Sequence, residues 1–292
     1  MAIEKPDRKP PAKSIVFADN DLLVVEAIGE LLRNKGYEVH VARDGLEALR
    51  AIRKLKPDLV ILDIVMPKID GSRVCWLIRQ DRQLRDTPVI ALSGLGPQDI
   101  RRFPELSADA YVAKGPLAVV GNNLLLAIRY LEESGPGHFE GGIFGFEGFR
   151  PRKIISEMLL LKRHWETLMR TLDHGVVELD QDGRILMANA RASEILGKKE
   201  TRLTSETLSS LFPPQDQRVI QQLLDELRAE AQREEYQVAV SLDDLEVSLR
   251  FTRVVEGGEC TGMLVILDAK RSEVSVRKQP AGGRGSSQGV RK

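Results

Sequence analysis

Through the first 134 residues, short apolar runs alternate with amphipathic stretches, and this alternation constrains the fold more than any other feature of the chain. Ser14–Ala18, Tyr37–Ala42, Leu59–Leu62, Pro88–Leu92 and Ala110–Ala113 read as strands. Several are apolar throughout, as strands covered on both faces must be. Leu22–Lys35, Gly45–Lys56, Ser72–Arg79 and Leu117–Leu131 carry apolar residues at helical spacing. Strict β–α alternation implies right-handed crossovers and a doubly wound parallel sheet. In such a sheet the chemistry belongs outside the carboxyl ends of the strands, at the switch point.

Four of those ends carry suitable groups. Asp19, Asn20 and Asp21 follow the first strand, and Asp63 ends the third within LDIVMPKIDG. Ser93 ends the fourth strand and Lys114 the fifth. Carboxylate and amide oxygens suit Mg²⁺, a hard cation. An aspartate can act as a nucleophile that accepts a phosphoryl group. A hydroxyl and an ammonium can then neutralise the charge on that group. Singly, each residue has a plainer role as a helix cap, turn residue or surface charge; their joint placement is what calls for a functional explanation.

The length of 292 residues suggests two domains. Forty-three basic and forty-three acidic residues cancel, so no overall field favours nucleic acid or an anionic membrane. Only Cys75 and Cys260 are present, too few for a disulfide framework or a cysteine-rich zinc site. No apolar run approaches the roughly 18 residues of a membrane span. Residues 1–13 are charged and proline-rich, unlike a signal peptide, and read as disordered. A cytoplasmic protein is expected.

Residues 135–153 are rich in glycine yet include Phe139, Phe144, Phe146 and Phe149. A flexible linker and a segment whose rings dock on a domain face both remain open. Residues 154–172 read as a linking helix. Ile154, Met158, Leu161, Trp165, Leu168 and Leu172 alternate spacings of four and three, the seam of a two-stranded coil and a candidate homodimer contact. The same pattern also describes a helix packing on its own domain. Beyond it, Val176–Leu179 and Ile185–Ala188 form a hairpin around Asp182-Gly183, with Asn189 placed to cap a short helix. Val219–Leu227 reads as helical, and Tyr236–Ser241, Leu245–Val255 and Met263–Asp268 as longer strands. This makes a smaller α+β domain with an antiparallel sheet. The basic, glycine-rich tail, 271–292, reads as disordered.

Residues 14–134, with Asp19-Asn20, Asp63, Ser93 and Lys114, resemble a response-regulator receiver domain of bacterial two-component signalling, with a five-stranded flavodoxin-like fold. The resemblance implies that Asp63 takes a phosphoryl group from a sensor histidine kinase or phosphotransfer protein. It implies a Mg²⁺ site at Asp19, Asn20, Asp63 and the Val65 carbonyl, with Lys114 and Ser93 contacting the phosphoryl oxygens. Tyr111 holds the position of the family's switch aromatic, although a core-edge tyrosine is the plainer reading. Two departures stand out. Asn20 replaces the usual second carboxylate, which should weaken magnesium binding, and Gly115 separates Lys114 from Pro116, so a cis Lys-Pro bond cannot form there. Val65 and Leu95, apolar where the family approaches the hydrolytic water, imply slow self-dephosphorylation.

Residues 165–270 resemble a PAS domain through 172–180, Asp182-Gly183-Arg184-Ile185, Asn189 and 192–197. Cys260 lies in a turn and His164 and His174 lie off the cavity helices, so neither flavin nor haem is supported. No DNA-binding or further output signature follows, which leaves signalling to an unidentified downstream protein. Two alternatives differ in class. One is an unphosphorylated receiver-like scaffold. The other is a haloacid-dehalogenase-type phosphatase using Asp19-Asn20-Asp21, which Leu22 fits poorly and which leaves Asp63 without a role.

Overall fold

The computed structural model describes residues 13–102, 107–135, 143–147, 153–229 and 235–271. The expectations for residues 1–12, for Phe139 and Phe149, and for the tail from 272 onward therefore lie outside the described residues. Five strands, β1 (Ser14–Ala18), β2 (Glu38–Ala42), β3 (Leu59–Asp63), β4 (Val89–Ser93) and β5 (Ala110–Ala113), alternate with α1 (Leu22–Asn34), α2 (Gly45–Leu55), α3 (Gly71–Gln80), α4 (Pro97–Arg102) and α5 (Leu117–Ser134). They form a parallel sheet in the order β2-β1-β3-β4-β5. Every residue of β3 and β4 is buried, which is why these runs show no alternation. One face is filled by Ile15, Phe17, Ile61, Ile90 and Val112 against α1 and α5. The other is filled by Val16, Val60, Leu62 and Ala91 against α2 and α3. Burying each valine, leucine, isoleucine or phenylalanine among them contributes about 1.5–3 kcal/mol.

Helix α4 had no counterpart in the sequence reading, because Pro97-Gln98-Asp99-Ile100 offers only one apolar residue per turn. The glycine-rich segment supplies a further element. A two-residue strand, β6 (Ile143–Phe144), pairs in parallel with β5, placing Ile143 beside Tyr111 and Phe144 beside Val112. Phe144 meets the Tyr130 ring edge-on at 5.8 Å, and Phe146 packs against the core that includes Val16, Leu62 and Ala91. Of the two readings of this segment, docking of its rings is the one the described residues show.

Helix α6 (Lys153–Thr171) leads to an antiparallel sheet of β7 (Gly175–Asp180), β8 (Ile185–Ala188), β9 (Glu235–Leu242), β10 (Leu245–Glu256) and β11 (Glu259–Arg271), in the order β8-β7-β11-β10-β9. Short helices α7 (Ala190–Ile195) and α8 (Glu200–Leu203), a 3-10 turn (Leu208–Leu211) and α9 (Pro214–Ala229) complete it. Gly183 adopts φ 73° in the hairpin turn, and Asn189 caps α7 by accepting from the Ala192 amide at 2.8 Å. The interior is filled by Phe251, Leu249, Val265, Met263 and Phe212.

The two sheets meet through α6. Its Ile155 and Leu159 join the core on the α3 side of the parallel sheet, together with Leu186 from β8. The adjacent stripe stays in solvent, with Ile154 62%, Leu161 68% and Leu168 57% exposed. Arg53 of α2 donates to the Thr204 carbonyl and the Ser205 hydroxyl, both at 2.8 Å, and to the Thr201 carbonyl. Arg73 of α3 pairs with Glu200 of α8.

Close backbone approach fixes two glycines. A Cβ on Gly45 would lie 1.7 Å from the Ile69 carbonyl oxygen, and one on Gly71 2.0 Å from that of Asp63. Gly115 has open space around it. Gly45→Ala is therefore expected to lower stability by about 1–3 kcal/mol, the range for overpacking, while Gly115→Ala stays within roughly 0.5 kcal/mol of wild type. Urea denaturation of both variants tests this; equal midpoints would contradict the close-packed β3–α3 corner.

Candidate functional site

The site follows from strand order. Ala18 on β1 pairs with Leu62 on β3, so the residues after each, Asp19 and Asp63, emerge side by side. Lys114 arrives after β5, and its amide donates to the Ser93 carbonyl at 2.8 Å, tying the ends of β4 and β5 together. The Lys114 ammonium lies 2.8 Å from a carboxylate oxygen of Asp19 and 2.8 Å from one of Asp63. Asp19 is 0% exposed and Asp63 only 4%.

Two buried carboxylates sharing one ammonium set the electrostatics. Burial pushes the Asp63 carboxyl up to about 6, Lys114 opposes the shift, and the Asp19 charge reinforces it. Burial works to lower the Lys114 pKa, but Asp63 and Asp19 outweigh it and hold the ammonium above its ordinary value. At neutral pH Asp63 is thus an ionised carboxylate of raised basicity, as a nucleophile should be. Its Oδ1 also accepts from the Val65 amide at 3.3 Å.

The other residues read from the sequence fall around this centre. The Ser93 hydroxyl is buried and accepts from the Leu95 amide at 2.9 Å, leaving its own O–H to donate. Asn20 is exposed on the loop after β1, and Val65 is 38% exposed on the loop after β3. Asp21, grouped by sequence with Asp19, is committed elsewhere: its carboxylate caps α1 by accepting from the Leu23 amide at 3.0 Å. Tyr111 is turned inward, 2% exposed, and its hydroxyl accepts from the Ala108 amide at 3.2 Å. Ile154, Met158, Leu161, Trp165, Leu168 and Leu172 lie far along the chain, on and just after α6, and all are exposed.

Sequence reasoning passed over the residues around Asp70. Asp70 caps α3, accepting from the Arg73 amide at 2.9 Å, and pairs at 2.7 Å with Lys162 of α6. The signal was present as a second stripe on α6. Ile155, Leu159, Lys162, Glu166 and Met169 repeat the four–three spacing one residue out of step with the seam.

A divalent ion fits this donor set modestly. The Oδ2 atom of Asp19 is buried and has no hydrogen-bond partner, only the shared ion pair with Lys114, so it has capacity to ligate. Among the described residues no group of three or more histidine, cysteine or carboxylate ligands is assembled. A cation here would rest on two carboxylates and neutral oxygens.

Comparison with known proteins identifies the two parts of the chain. A family model for the response regulator receiver domain matches residues 15–119, and one for the PAS fold matches residues 163–268. The polar-differentiation response regulator DivK of Brucella anthropi is 33% identical over 108 residues, 37% of this chain and 87% of DivK. The chain belongs to the response-regulator family. The DNA-binding dual master transcriptional regulator RpaA of Synechocystis is 36% identical over 101 residues, 34% of this chain, but the match spans only 42% of RpaA. Among solved structures, the chemotaxis response regulator CheY4 of Vibrio cholerae is 24% identical at a TM-score of 0.37, covering 39% of this chain and 98% of that one. The receiver domain of the Francisella response regulator 1452 is 27% identical at 0.37, covering 41% and 97%. This response regulator thus joins a receiver to a PAS fold. Among its described residues no helix is long and apolar enough to cross a membrane.

The raised pKa of Asp63 carries a consequence for stability. Between about pH 4 and pH 6 the folded receiver holds a proton that the unfolded chain releases, so folding weakens as pH rises through that window. In metal-free buffer Asp63→Asn is expected to stabilise the protein by roughly 2 kcal/mol at pH 7.5. The gain should fade towards pH 4. Thermal denaturation at both pH values checks it, and a variant less stable than wild type at pH 7.5 would contradict the desolvated carboxylate.

Proposed function

We propose that this chain is a phosphorylation-dependent switch. Asp63 takes a phosphoryl group from the phosphohistidine of a sensor kinase or phosphotransfer protein, with a receiver at 14–134 and a PAS module at 165–270 joined by 135–153 and the helix 154–172. The observation that carries this reading is the Lys114 ammonium held 2.8 Å from both Asp19 and Asp63. An Asp63 oxygen forms the new bond to phosphorus as the bond from phosphorus to the donor nitrogen breaks. Lys114 is already in place to pair with the oxygens of the transferred group, and Ser93 has a proton to donate to them. Mg²⁺, held by Asp19, Asp63 and neutral oxygens from Asn20 and the Val65 carbonyl, supplies further charge neutralisation when bound. Asn20 makes this a weaker site than a third carboxylate would. The inward Tyr111 is the switch aromatic of this reading.

Output passes to another protein, and self-association through Ile154, Met158, Leu161, Trp165, Leu168 and Leu172 is part of it. The exposed apolar stripe, at coiled-coil spacing on a helix whose other side is already packed, supports a second copy as the occupant. The scaffold reading draws on Asn20 and on the Gly115 that separates Lys114 from Pro116, and the intact Asp63, Ser93 and Lys114 oppose it.

Incubation with acetyl phosphate and Mg²⁺ should add one phosphoryl group by intact mass, and Asp63→Asn, or omission of Mg²⁺, should abolish it. Lys114→Met and Ser93→Ala should slow acceptance by about 10–1000-fold, the scale of losing one charge-stabilising group. Absence of any gain, with both acetyl phosphate and a purified kinase, would favour the scaffold. Since Val65 and Leu95 cannot orient a water, the phosphoprotein should persist for many minutes; decay within seconds would contradict that. For self-association, Leu161→Glu should shift a dimer to monomer in sedimentation, and identical profiles would exclude the stripe.

A further inference from the structure

The first turn of α3 grips both α6 and the PAS fold, and it is tied directly to the phosphoacceptor. Gly71 sits so close to Asp63 that a Cβ would meet the Asp63 carbonyl oxygen at 2.0 Å, and its amide donates to the Ile64 carbonyl at 3.0 Å. The preceding residue, Asp70, holds the Lys162 ammonium at 2.7 Å, and the Ser72 hydroxyl accepts from the same ammonium at 2.8 Å. Arg73, next in line, pairs with Glu200 on α8. Four consecutive residues, Asp70 to Arg73, therefore connect the backbone of Asp63 to two elements outside the parallel sheet.

The rest of the loop after Asp63 is pinned as well. Lys68 pairs with Asp44, the cap of α2, at 2.7 Å, and the Gly45 amide approaches the Pro67 carbonyl at 3.5 Å. A shift of backbone at residues 63–65 has little slack to absorb it before Asp70 is reached. On the far side of the sheet the β5 edge is already taken by β6. Beside the Asp70–Lys162 pair lies a cavity of about 620 Å³, whose walls include Trp76, Leu159, Trp165, Met169 and Leu186. This cleft flanks the Lys162–Arg170 part of α6, while release of the helix also withdraws Ile155 and Leu159 from the core of the parallel sheet. Burial works to raise the pKa of Asp70, yet Lys162 and Ser72 hold it below its ordinary value, so the pair is ionised.

We propose that the Asp70–Lys162 pair is an intramolecular latch, and that phosphorylation of Asp63, acting through Gly71, releases α6 from the receiver. Lys162 is a positioning residue: it touches neither the phosphoryl group nor the metal, and sets the seating of the linking helix. The latch deepens the switch reading and rests on it. The structure shows the latched form; phosphorylation replaces the single charge of the Asp63 carboxylate by nearly two, a net gain of about one negative charge at the other end of a seven-residue loop, and shifts the population towards the open form.

The test is hydrogen exchange across residues 153–171 in the full chain, with and without acetyl phosphate and Mg²⁺, and with intact mass recording occupancy. In wild type, phosphorylation should speed exchange of α6 by about fivefold or more. Lys162→Met should take up the phosphoryl group normally, exchange fast at the outset and respond no further, while Lys162→Arg restores the wild-type response. Unchanged or slower exchange in fully phosphorylated wild type overturns the latch, as does a wild-type response in Lys162→Met; either leaves the phosphoacceptor reading intact. Failure of wild type to gain mass overturns that reading and the latch with it.

Discussion

One ammonium shared between two buried carboxylates is the constraint on which the receiver depends. Lys114 reaches Asp19 and Asp63 at 2.8 Å each, and these groups arrive from three different strands. Two carboxylates facing each other in a site shielded from water repel strongly. The arrangement holds only because a cation is delivered from β5 and because the apolar sheet beneath fixes the strand ends. Even so it is incompletely compensated, since Asp63 keeps a raised pKa. The fold thus carries a local electrostatic penalty at this cluster, as functional sites commonly do.

Much of this was legible in the sequence, for identifiable reasons. Strands covered on both faces become unbroken apolar runs, so β1, β3 and β4 announce themselves. A doubly wound sheet then dictates that its strand ends converge, which brings Asp19, Asp63, Ser93 and Lys114 together without knowledge of any distance. The resemblance to receivers and PAS modules added residue roles that alternation alone does not supply. What stayed hidden depended on tertiary context. The six-residue helix α4 has too few apolar residues for a periodic signal. Asp21 is chemically indistinguishable from Asp19 until its carboxylate is seen capping α1. Strand β6 is two residues long and exists only because β5 offers an unpaired edge.

The linking helix shows why pattern reading can be right and incomplete. The four–three spacing from Ile154 to Leu172 marks an apolar stripe, and the structure leaves that stripe in solvent. The surface that docks is its neighbour, Ile155, Leu159, Lys162 and Met169, where an ammonium interrupts the apolar series. A charged residue at a half-buried position lowers the score of a stripe in any hydrophobicity count. Here it also gives the contact its specificity, because across the contact Lys162 meets the Asp70 carboxylate and the Ser72 hydroxyl, with Glu166 on its own helix 3.8 Å away.

Having two such stripes one residue apart makes α6 intolerant of changes in its length. Each inserted or deleted residue turns everything beyond it by about 100°. Such a change upstream of Lys162 would swing both stripes together and carry the ammonium off Asp70. Seven added residues would come within about 20° of restoring the phase. Whole heptads would therefore keep the facing of the exposed stripe, but each would also carry Lys162 about 10.5 Å along the axis, so a receiver spliced to a different module keeps the Asp70 contact only if the added length falls beyond Met169.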